Sequence, residues 1–259
     1  MKNRGSFTAV LRKELTVYFA TPIFYVTGFF FLLLGGYFFY SNSVYYSIIS
    51  FQAAQNIQMA TYLNPLQMVF RPLFATLGVV LLLLVPLLTM RLLAEEKRAG
   101  TAELLFTYPL TDWAIILGKF LAALLVYAIF IGLTVAYPLA FSFLVRLDWA
   151  SLAACYLGLL LLGGACLALG LFASSLTENQ IIAAVTAFAL LLLFWIIGWQ
   201  QEIGSPGWGG FFAALSMMDH FDGFVRGVID TRDLVYYFSF IYFFLFLTKR
   251  QLESRRWRA

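Results

Sequence analysis

Charge is scarce in this chain of 259 residues: 12% are Asp, Glu, Lys or Arg, against 62% hydrophobic. A soluble domain carries about a quarter charged residues, and a globule of this length still needs polar surface. The deficit excludes one soluble core and makes lipid the second solvent. Histidine is nearly absent. A single His220 excludes an HExxH zinc site, which needs two. Cysteine is limited to Cys155 and Cys166, which lie in one apolar run without metal-ligand spacing, so both read as small packing residues. The net charge of +4 is spread over several segments and forms no basic stripe, so nucleic acid is not an expected partner. Gly204-Ser205-Pro206-Gly207 is not a nucleophile elbow. No small-residue cleavage site follows the first apolar run. The charged stretch Arg12, Lys13, Glu14 is therefore not expected to belong to a secretory signal peptide, and the first hydrophobic segment is expected to stay in the mature protein.

What is abundant is apolar and aromatic: 19% of residues are Phe, Trp or Tyr, 28 of them Phe. Crossing a bilayer takes roughly 20 apolar residues in a helix, because the backbone must satisfy its own polar groups there. Six segments qualify, at 23–40, 72–93, 113–144, 151–172, 179–199 and 234–247. The third is long enough for a tilted or broken end near Pro138. The sixth is short, with Arg232 and Lys249 able to bracket it by snorkelling. The fold class expected is an all-α integral membrane protein, one transmembrane domain over 1–259. Basic residues set its orientation. Arg71, Arg146, Arg226 and Arg232 fall on one side, and the remaining thirteen of the 17 Lys and Arg fall on the other. Both termini are therefore expected in the cytoplasm.

Residues 6–20 form a separate amphipathic helix. Phe7, Leu11, Leu15 and Tyr18 share a face, with Arg12, Lys13 and Thr16 opposite, as in a helix lying in the membrane interface. Glu14 falls inside the apolar stripe. Either it lies at the helix edge and reaches water, or it pairs with a cation or a partner protein. Pro22 then turns the chain into the first span. Two outer segments, 41–71 and 200–233, are too long to be turns, and helices are expected around 50–62 and 211–228. In the second of them, Asp219-His220-x-Asp222 offers two carboxylates and one imidazole. With no second histidine it reads as a polar helix end able to contact an extracytoplasmic partner, not as a metal site. Arg226, Asp230, Arg232 and Asp233 read as a solvated ion-pair cluster.

The most informative stretch joins the second and third spans. Its helix leaves the membrane through Glu95-Glu96-Lys97-Arg98, and Gly100 can supply the left-handed turn that ends it. Thr101 can cap a short new helix over 101–108, with Glu103 in its first turn and Pro109 as its stop. Leu104, Leu105 and Phe106 make an apolar knuckle in a charged loop, which favours a docking surface.

Glu95-Glu96-Lys97-Arg98-x-Gly100-Thr101-x-Glu103-Leu104-Leu105 followed by Pro109 resembles the signature of type-2 ABC exporter permeases. Arg12-Lys13-Glu14-Leu15 and Thr21-Pro22 are similar to that family's interfacial helix, and Ser174-Ser175-Leu176-Thr177-Glu178-Asn179-Gln180 to its second cytoplasmic loop. His220-Phe221, 227–233 and 252–257 are similar to a subgroup holding the gliding-motility permease GldF and the NosY-type permeases. The resemblance implies that 101–108 is a coupling helix seated in a cytoplasmic ABC ATPase. Glu95, Glu96, Gly100, Thr101, Glu103, Leu104, Leu105, Phe106, Ser175 and Glu178 would then be the coupling residues. It also implies a second permease chain, a bacterial inner-membrane location, and ATP and Mg held by the ATPase. Gly118-Lys119 lacks the pattern of a phosphate loop, so this chain is not expected to be an enzyme or to hold a cofactor. The apolar spans agree, since an ion-driven pump usually needs intramembrane ionisable groups. The rival is a mechanotransmitter that passes ATPase-driven motion to an outer partner, through residues such as Asp219, His220, Asp222 and Arg226, without moving substrate.

Overall fold

Long apolar runs leave the backbone one economical solution in lipid, the α-helix, whose amides are bonded within the segment. A computed structural model describes residues 2–55, 63–100, 111–197 and 214–256. The described residues are helical, with no strand among them. The helices are α1 (Lys2–Ala20), α2 (Pro22–Gln55), a π-helical turn (Leu66–Phe70), α3 (Arg71–Thr89), α4 (Ala94–Arg98), α5 (Asp112–Thr134), α6 (Ala136–Ser142), α7 (Trp149–Leu176), α8 (Gln180–Ile197), α9 (Met217–Val225) and α10 (Thr231–Arg256). Five stretches are long and apolar enough to cross a membrane: Pro22–Ala54, Leu66–Arg98, Asp112–Ser142, Trp149–Leu176 and Gln180–Ile197. The sixth expected segment, 234–247, falls inside α10, whose apolar part is closed in by Arg232 and Asp233 at one end and Lys249 at the other.

Local chemistry explains most boundaries. Thr21 is the only residue between α1 and α2, and its hydroxyl donates to the Tyr18 carbonyl at 3.0 Å while Pro22 opens the next helix. The third long stretch breaks at Val135, between α5 and α6. Pro138 has no N–H to offer the carbonyl four residues earlier, at Thr134. Asp148 caps α7 by accepting from the Ala150 amide and the Ser151 hydroxyl. Those hydrogen bonds, the one from Ser151 foremost, hold its carboxyl below its ordinary value. Gly100 takes φ 69° after the end of α4, the left-handed turn expected of it. α2 runs well past residue 40, to Gln55, so the start of the outer segment 41–71 continues the first helix. Of the helix expected around 50–62, residues 56–62 lie outside the described residues.

α7 is the hub, packed against α3, α5, α8, α9 and α10. Small residues let it sit there. A methyl group at Gly163 would strike the Tyr127 ring of α5, and one at Gly170 would strike Thr89 of α3. The Tyr127 hydroxyl, delivered into this gap, donates to the Leu159 carbonyl at 2.8 Å. The small-residue face of the fourth span is therefore occupied by helices of the same chain. Cys155 and Cys166 are both buried in α7, as packing residues would be. α2 and α8 are flank helices: Phe29, Tyr37, Ile181 and Val185 are exposed along them.

Candidate functional site

The sequence places two misfit charges in apolar surroundings, and the fold brings them together. Glu14 lies between Val10 and Tyr18 on the buried stripe of α1. Helix α1 packs chiefly on α5, where Gly118 admits Val10 at close range. The next residue, Lys119, reaches Glu14 at 2.8 Å and Glu96 of α4 at 2.9 Å. Lys119 is 1% exposed and Glu14 7%. Lys13 closes the cluster from the solvent side, 2.9 Å from Glu96. Burial pulls the Lys13 ammonium down, but its hydrogen bond to Glu96 and the charges of Glu96 and Glu14 together raise it above its ordinary value. Of the two readings of Glu14, the ion pair is the one observed. Lys119, grouped above with the basic residues of the membrane flank, lies inside a helix of a candidate span and is the one buried cation of the cluster.

Around this cluster the other end-of-helix groups are also tied. The Tyr18 hydroxyl donates to the Leu88 carbonyl at 2.8 Å, binding α1 to α3. Arg91 grips Glu95 with two hydrogen bonds, 2.8 and 3.1 Å. Helix α4 has no cap of its own, since Leu93 precedes it. Ser174 of α7 supplies one: its hydroxyl accepts from the Leu93 and Ala94 amides, both at 3.1 Å, and donates to the Met90 carbonyl. Lys97 donates to the Ser175 carbonyl. The connector leaving α3 is thus fastened to α1, α5 and α7 before residue 100. Among the expected coupling residues, Glu95, Glu96, Gly100 and Ser175 stand in or beside this assembly, and Glu178 follows α7 on an exposed turn. Arg12 is exposed on the far side of α1. Thr101, Glu103, Leu104, Leu105 and Phe106 lie outside the described residues. Sequence reasoning missed Lys119 and Ser174. A lone lysine in an apolar helix and a lone glutamate in an apolar stripe were the available signal, because such charges are seldom buried unless paired.

At the opposite end of the bundle, the Asp219–Asp222 region is organised differently from the sequence expectation. His220 is buried, stacks on Tyr236 at 4.0 Å and meets Asp233 Oδ1 through Nδ1 at 2.6 Å. Asp222 takes Arg71 at 3.0 Å and also Arg226. Asp230 accepts from the Arg232 amide at 3.0 Å. The solvated cluster of Arg226, Asp230, Arg232 and Asp233 is therefore not formed. Asp233 is drawn inward by the imidazole, and Arg226 is claimed by Asp222 one helical turn away. Asp219 lies in the first turn of α9, its amide donating to Ser216. Asp222 and Arg226 remain partly open to a partner, whereas the imidazole does not. Among the described residues, no three His, Cys, Asp or Glu side chains gather as a metal site would require.

Compared with known proteins, residues 8–206 match the family described as ABC-2 family transporter protein. No curated protein matches the chain.

Proposed function

Because the chain belongs to the ABC-2 family of transporter proteins, we propose that it is the membrane permease subunit of an ATP-driven exporter, powered by a separate cytoplasmic ABC ATPase. The observation that carries this reading is the buried cluster Glu14–Lys119–Glu96. A connector meant to transmit force must not yield where it leaves the membrane. Here its first residues are held by ion pairs to α1 and α5 and by the Ser174 cap. Buried pairs are weak evidence for net stability but fix geometry, since removing one partner strands the other charge. A push on 101–108 would therefore move α1, α3 and α5 as one piece.

In this reading, α10 is the sixth span, both termini lie in the cytoplasm of a bacterial inner membrane, and two permease chains pair. ATP and Mg reside on the ATPase. The test targets the knuckle: Leu104→Asp with Phe106→Asp should abolish co-purification with the cognate ATPase and its stimulation. Association and stimulation equal to wild type would overturn the proposal.

A second reading has one specific observation behind it. At about 1.5 Å per residue, the 33 residues of Pro22–Ala54 extend about 50 Å, well beyond a hydrocarbon core of about 30 Å. Its far end exposes Tyr45, Ile48 and Phe51. Such an arm suits an outer partner, as in a mechanotransmitter of the gliding-motility or NosY-type subgroup. Reconstituted vesicles separate the two: ATP turnover with substrate flux favours the exporter. Turnover without flux, with an outer partner co-purifying, favours the mechanotransmitter.

A further inference from the structure

The side read as outer holds only four basic residues, Arg71, Arg146, Arg226 and Arg232. Three of these arginines border two adjoining cavities at one end of the bundle. The polar cavity, about 320 Å³, is lined by Arg146, Arg226, Asn64 and Gln67 where the start of α7, the end of α9 and the segment before α3 converge. Its neighbour, about 520 Å³, shares Gln67 and continues past Arg71 onto Tyr45, Met68 and Phe221.

Charge in this corner is not balanced. Among the described residues, Asp222 is the sole carboxylate paired with Arg71 and Arg226. Asp148, also on the polar wall, is engaged by Ser151 and the α7 amides. Arg146 is exposed and has no ion pair among the described residues. Depth matters as well. Arg71 lies in the second turn of the candidate span Leu66–Arg98, and Arg146 lies between the end of Asp112–Ser142 and the start of Trp149–Leu176, so both are near span ends. That is the level of lipid headgroups. Guanidinium forks match phosphate oxygens in charge and geometry, and the apolar wall of the second cavity can take the start of an acyl chain.

We propose that Arg146 and Arg226 form a binding site for a phosphate group, carried by an anionic phospholipid whose glycerol end enters the cavity beside Tyr45 and Phe221. Calling this the outer leaflet rests on the orientation given above, but the binding does not.

The test uses the purified full-length chain in detergent, so it depends neither on sidedness nor on an ATPase. Thermal unfolding is followed while short-chain phosphatidylglycerol, or diacylglycerol with the same acyl chains, is titrated in. Phosphatidylglycerol should raise the melting temperature and diacylglycerol should not. Arg146→Gln should weaken the apparent affinity about tenfold, as for one lost charge-assisted hydrogen bond. Arg146→Lys should keep most of it, and Arg250→Gln, on α10, should change nothing. Arg226→Gln should behave like Arg146→Gln. Should it fail to fold for want of its Asp222 pair, Arg146→Gln decides alone, because that side chain holds no ion pair among the described residues. Equal stabilisation by the two lipids, or an Arg146→Gln protein that binds like wild type, overturns the site. Inorganic phosphate identifies the source: stabilisation with the same arginine dependence assigns a free phosphate ligand, and its failure where phosphatidylglycerol succeeds assigns the lipid.

Discussion

Lys119 carries the strongest prediction at the level of single residues. A buried ammonium held by two carboxylates is tolerable only while both stay in place, and removing one member of a buried pair costs about 3–5 kcal/mol. Lys119→Met should therefore lower the melting temperature of the purified chain sharply. Combining it with Glu14→Leu should recover part of the loss, because Glu96 keeps Lys13. If Lys119→Met melts with wild type, the cluster does not hold the base of the bundle. Lys13 is largely exposed, and Lys13→Met should cost no more than about 1 kcal/mol. Its pH behaviour follows from its raised pKa. The folded form binds the proton more tightly than the unfolded form, so its contribution is complete below the ordinary value of 10.5 and fades as pH rises through the folded value. Protease protection of α1 should accordingly stay level between about pH 6 and 9, as far as Lys13 governs it, and weaken only in stronger alkali. A loss of protection on going from pH 6 to pH 8 would contradict this.

Helix contacts make the next prediction, through the glycines of α7. Gly163→Ala and Gly170→Ala force a methyl group into Tyr127 and Thr89. Overpacking of this kind costs about 1–3 kcal/mol. Gly132 on α5 has nothing within 4 Å of the position a methyl would take. Gly132→Ala should therefore be neutral or stabilising by up to about 1 kcal/mol through helix propensity. Comparing the three melting temperatures checks the packing, and equal shifts would refute it. These contacts also show where sequence reading stops. Apolar runs, Pro22, Gly100 and the Pro138 break are local signals, so the elements they define were legible. Which neighbour fills the space beside the small residues of α7 depends on contacts between distant segments. Ser174 capping α4 and Lys119 meeting Glu14 are of the same kind. The outer ion pairs were misassigned because proximity in sequence suggested Asp230 and Arg232 as partners. The fold instead offers Arg71 to Asp222 and His220 to Asp233.

For the whole molecule, the number of crossings fixes which surfaces can meet an ATPase. Five stretches are long and apolar enough to cross. The remaining helix, α10, has the length to cross, packs mainly on the hub helix α7, and carries Trp113–Tyr242 and Phe194–Phe240 ring contacts to its neighbours. A helix packed beside candidate spans is expected to cross with them, its lower hydropathy coming from tyrosines and flanking charges that suit the interfaces. Crossing would return the C-terminus to the side of α1. The two native cysteines are buried, which keeps the background low for labelling with a membrane-impermeant maleimide. Leu144→Cys, at a position 81% exposed before α7, should react in intact cells. Arg250→Cys, near the end of α10, should react only after the cells are opened. If Arg250→Cys is labelled in intact cells alongside Leu144→Cys, α10 does not cross, and the even-span topology falls.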